Sequence, residues 1–110
     1  LRISVDMNEK ELLELLKGII ALATPLNSNG VEITSLDTPI ADTGLDSLDL
    51  LMVGIYLSDV YGVSEEIAKT MDPVTIRDML QFMQFHSTKQ PVSVEATLND
   101  ISNRLQNGLQ

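Results

Sequence analysis

Hydrophobic positions recur every three or four residues in several separated stretches, and none alternates strictly as a half-buried strand does. Leu12, Leu15, Leu16, Ile19, Leu22 and Ala23 form the first stripe, widened by Leu13 and Ile20. Asn8, with Glu11 three residues on, has the form of a capping box and predicts a helix starting there. Thr24-Pro25 ends it, because proline disfavours helical backbone in the residue before it. Residues 25–46 have no period and hold Pro25, Asn27, Asn29, Gly30, Pro39 and Gly44, which predicts a long loop. Loops longer than about 15 residues inside a domain are often functional. Leu26, Val31, Ile33, Leu36 and Ile40 are expected to pin this one to the helices.

A second helix is predicted from Asp46 or Ser47, apolar nearly all round through Leu48, Leu50, Leu51, Met52, Ile55 and Leu57, and stopped by Gly62. Ser64-Glu65-Glu66-Ile67 predicts a short capped helical turn. Thr75-x-x-Asp78, after Pro73, caps a further helix with the stripe Ile76, Met79, Leu80 and Met83. Beyond a linker-like Ser87–Pro91, the positions Val94, Leu98, Ile101 and Leu105 form an amphipathic stripe. Such a helix either packs on the bundle or binds a partner. The expected fold is all-α: a four-helix bundle of three long helices and one short, spanning 1–86, then a tail over 87–110 that adds a C-terminal helix. The expected core includes Leu12, Leu16, Ile19, Leu48, Leu57, Ile67, Ile76, Leu80 and Met83.

Composition narrows the function. The 110 residues amount to one domain, and apolar runs of four or five residues are too short to span a bilayer. No charged-then-apolar leader is visible, so the expectation is a cytoplasmic chain without a signal peptide. Without cysteine there is no disulfide, thiolate metal site or cysteine nucleophile. His86 is the single histidine and lies far from any candidate serine nucleophile, which argues against a hydrolase. Seven Lys+Arg against sixteen Asp+Glu give a net charge of −9, which argues against nucleic acid and favours basic partner surfaces. Arg2, Lys10, Lys17, Lys69, Arg77, Lys89 and Arg104 leave residues 18–68 without a cation. That segment holds Glu32, Asp37, Asp42, Asp46, Asp49, Asp59, Glu65 and Glu66. It is either a solvated acidic surface or a docking face. The spacing of its aspartates does not fit a calcium loop.

The informative stretch is Asp42-Thr43-Gly44-Leu45-Asp46-Ser47-Leu48-Asp49-Leu50. It puts Ser47 in the first turn of a helix after a glycine-containing loop, with its hydroxyl exposed near free amides and the positive end of the helix dipole. A phosphodiester on that oxygen is electrostatically favoured. The flanking aspartates could help to hold a divalent ion in an encounter with a modifying enzyme. Taken alone, Ser-Leu-Asp reads as an ordinary helix cap.

With its context, the stretch resembles the acyl carrier protein family, including the peptidyl carrier proteins, whose signature is Asp-Ser-Leu at the start of the second helix. Here that is Asp46-Ser47-Leu48, preceded by Gly44-Leu45. Residues 65–70 and 75–80 fall where the family's third and last helices should be, and the resemblance covers about residues 8–86. It implies an acyl-carrier-like bundle and a monomeric, non-catalytic carrier. A phosphopantetheinyl transferase would move 4′-phosphopantetheine from coenzyme A to Ser47 Oγ, using Mg²⁺, and acyl groups would ride on the arm as thioesters. It also implies acyl-transferring, condensing or tailoring partners whose basic surfaces meet Asp42, Asp46, Asp49 and Asp59, with Leu48 beside the serine.

The chain departs from the fatty-acid-synthesis members at Leu51-Met52-Val53-Gly54-Ile55, where glutamates are common. Leu51, Met52 and Ile55 are candidates for an apolar contact face, unless the loop or the 94–105 stripe covers them. The departure favours polyketide, nonribosomal-peptide or other specialised acyl biosynthesis over a general fatty-acid carrier. The alternative from another class is an acidic protein-binding module with no prosthetic group. Gly54 in mid-helix costs about 1 kcal/mol against alanine, and would be explained by close approach of another helix or of cargo.

Overall fold

A computed structural model describes residues 7–24 and 32–106. Helix α1 spans Glu9–Ala23, α2 Ser47–Tyr61, α3 Glu65–Ala68, α4 Ile76–Phe85 and α5 Val94–Gln106, with a 3₁₀ turn at Ile40–Asp42. The described residues form no strand. One isolated antiparallel bridge joins Pro39 to Thr75.

Local chemistry sets the helix ends. Asn8 Oδ1 accepts the Glu11 amide at 2.9 Å and Glu11 Oε1 accepts the Asn8 amide at 3.0 Å, closing the box at the start of α1. At its other end the Thr24 hydroxyl donates to the Ile20 carbonyl at 2.7 Å. Gly62 ends α2 with φ 66°, a left-handed conformation that glycine adopts without strain. Ser64 caps α3, and Thr75 with Asp78 caps α4.

The core gathers Leu15, Leu16 and Ile19 of α1, Val53, Leu57 and Tyr61 of α2, and Ile76, Met79, Leu80 and Met83 of α4. Ile33, Leu36 and Ile40 are buried too, so the loop is pinned as expected at those positions. Leu26 and Val31 lie outside the described residues. The loop also bonds to the entry of α4: Ile40 N–H donates to the Val74 carbonyl at 2.8 Å, and Arg77 N–H to the Leu36 carbonyl at 2.7 Å. Arg77 then joins three elements through its side chain, with Nε 2.8 Å from Asp37 and Nη1 2.8 Å from Glu9.

Two expected core residues are on the surface. Leu48 is 65% exposed and Ile67 is 36% exposed. On α2 an apolar surface nearly all round gives periodicity no face to choose, and contacts select the side carrying Val53, Leu57 and Val60. The four-residue α3 is too short to bury a side chain. Leu12 is half-buried against the core.

Helix α5 packs on α1. Ile101 is buried, and Val94, Leu98 and Leu105 pack against the core, so the amphipathic stripe faces the bundle. A Cβ on Gly18 would lie 2.5 Å from Leu98 Cδ1, so a bare backbone lets the helices meet there. The segment leading to α5 is hydrogen-bonded to the end of α2. The Thr88 and Lys89 amides donate to the Tyr61 carbonyl at 2.9 and 3.3 Å, and the Thr88 hydroxyl donates to the Gly62 carbonyl at 2.6 Å.

Candidate functional site: the start of helix α2

The approach to Ser47 is built from short-range bonds. The 3₁₀ turn buries Thr43, whose hydroxyl donates to the Ile40 carbonyl at 2.7 Å and accepts the Leu45 amide at 3.2 Å. Gly44 follows with φ 87°, a conformation costly for other residues, and turns the chain toward the helix. Asp46 is the N-cap: its Oδ1 accepts the Asp49 amide at 2.8 Å, and Asp49 Oδ2 accepts the Asp46 amide at 3.3 Å. Ser47 is therefore not the cap but the first helical residue, and it is exposed. Its side chain stands where the unpaired first-turn amides and the positive helix end concentrate.

The other candidates separate into groups. Asp42 is exposed at the end of the 3₁₀ turn. Asp46 and Asp49 hold each other in the capping box. Among the described residues, no group of three or more His, Asp or Glu is placed to hold a metal ion. Leu48, Leu51 and Ile55 are 65, 58 and 49% exposed, so among the described residues neither the loop nor the α5 stripe covers them. Met52 differs from them: it is half-buried and packs against the core. Asp59 is already engaged, in an ion pair with Arg104 of α5. Its carboxylate raises the Arg104 pKa above the ordinary value, chiefly through the hydrogen bond it accepts.

A cavity of about 360 Å³ opens between α2 and the α3 region. On α2 it is lined by Leu50, Leu51, Gly54, Ile55 and Ser58, which follow Ser47 on one side of the helix at steps of three and four. Val63, Ala68 and Met71 complete an apolar wall, and Glu65 and Lys69 are its charged members. A Cβ on Gly54 would meet Met71 Cε at 3.8 Å, an ordinary contact. No helix presses on Gly54; its bare backbone forms part of the cavity wall. The Ser58 hydroxyl donates to the Gly54 carbonyl at 2.8 Å and is satisfied there.

The sequence marked Gly54 but not the cavity, because the opposite wall comes from residues 63–71, whose facing direction no local period reveals. The Asp59–Arg104 pair spans separate helices and has no sequence signal either. No helix among the described residues is long and apolar enough to cross a membrane. No family model matches the chain, and no curated protein or solved structure is significantly similar to it.

Proposed function

We propose that this chain is an acyl carrier: a non-catalytic protein that accepts 4′-phosphopantetheine on Ser47 Oγ from a phosphopantetheinyl transferase and presents acyl groups to enzymes with basic docking surfaces. The observation that carries the reading is the setting of Ser47. It is exposed, it opens a long capped helix behind a pinned loop, and the side of α2 below it leads along an apolar cavity.

The residues fit the group. A hydroxyl at the first helical position is accessible to a transferase, and the adjacent amides favour a phosphodiester. The bound group supplies a thiol for thioester formation, which a chain without cysteine does not otherwise have. The walls formed by Leu50, Gly54, Val63 and Met71 suit a hydrocarbon chain, worth about 0.8 kcal/mol per buried methylene. Asp42 and Asp46 flank the serine as charges for a basic partner. Leu48, Leu51 and Ile55 add an apolar contact that favours specialised acyl biosynthesis over general fatty-acid synthesis.

The test is to incubate the apo-protein with coenzyme A, Mg²⁺ and a promiscuous phosphopantetheinyl transferase, and to take an intact mass. One phosphopantetheine increment is expected, absent from Ser47→Ala. A folded protein that several transferases leave unmodified would instead be an acidic binding module, using the same exposed aspartates and leucines without a prosthetic group.

A further inference from the structure

We infer that Arg104 is a specificity-determining residue of the proposed carrier: by pairing with Asp59 it withdraws the sole carboxylate in the second half of α2 and confines docking to the Ser47 end. The inference rests on the carrier reading. Asp59 follows Ser47 by twelve residues, about 18 Å along the helix axis. A partner recognising α2 along its length would use both ends. In this molecule the two ends differ. Among the described residues no ion pair reaches Asp42 or Asp46, whereas Asp59 faces a guanidinium that also lies 3.5 Å from Asp100.

Arg104 is held there by the fold. Its helix is fixed by buried Ile101 and by Leu98 against Gly18, and the chain entering the helix is bonded to Tyr61 and Gly62 at the end of α2. A partner lysine or arginine arriving at Asp59 must displace this cation or be repelled by it. The pair is half-exposed, so its effect belongs to encounter rate and partner choice more than to stability.

The test uses the full chain and a phosphopantetheinyl transferase with a basic docking surface, measuring kcat/KM for transfer to Ser47 at several salt concentrations. Arg104→Gln is expected to raise kcat/KM about two- to fivefold at low salt, with the gain shrinking as salt rises. Adding Asp59→Asn to that variant should abolish the gain, and Arg104→Lys should restore the wild-type rate. Lys10→Gln on α1 removes the same charge elsewhere and should give no gain. Circular dichroism melts establish that each variant is folded. An unchanged Arg104→Gln rate, or a gain that survives Asp59→Asn, overturns the inference and leaves the carrier reading standing. A wild-type chain that no transferase modifies overturns both.

Discussion

Asp46 does two jobs that one substitution can separate. Its side chain accepts the Asp49 amide, and its charge stands beside the exposed serine. Asp46→Asn keeps an acceptor of similar reach, whereas Asp46→Ala removes acceptor and charge together. Urea unfolding should show the alanine variant destabilised by about 0.5–2 kcal/mol and the asparagine variant close to wild type. On the proposed carrier reading, phosphopantetheine transfer to Ser47 should slow in both, by about two- to fivefold for asparagine, because only the charge is then missing. Residue-level features of this kind were legible where their causes are local. Asn8, Ser64 and Thr75 bond to residues three positions away, and Gly62 turns the chain where it stands. The exposure of Leu48 and Ile67 was not legible, since burial depends on elements distant in the chain.

Helices announce themselves by period but do not name their partners. The stripe Val94, Leu98, Ile101 and Leu105 required an apolar surface, and α1 supplies it through the gap at Gly18. Gly18→Val would put branched carbons where Leu98 now sits. The overpacking should cost about 1–3 kcal/mol in denaturant unfolding, despite the removal of a helical glycine. An unchanged midpoint would mean that Leu98 turns aside freely and that Gly18 does not fix the α1–α5 contact. For α2 the opposite difficulty held: a helix apolar nearly all round left its core side undetermined, and with it the cavity beside Gly54.

Across the whole molecule, the cation-free stretch of sequence is not a cation-free surface. Arg77 reaches Asp37, and Arg104 reaches Asp59, from helices later in the chain. Hydrogen bonds from Arg77, and then its charge, hold the Asp37 and Glu9 carboxyls below their ordinary pKa values. Their stabilisation is complete above the unfolded carboxylate range, about pH 4–4.5, and is lost as pH falls through the lower folded values. Thermal melts should therefore show wild type losing more stability than Arg77→Gln between about pH 5 and pH 2.5, with a constant difference between them above pH 6. Parallel acid curves would remove Arg77 as a determinant. The seating of α5 on α1 also bears on how the chain acquires its shape during synthesis. Gly18 leaves the ribosome long before Leu98, and closing so long a loop is entropically costly. The first helix must wait while the middle of the chain condenses, its Gly18 side bare to solvent and to other nascent chains. Helix α5, made about 70 residues after α1, is the element that ends that wait.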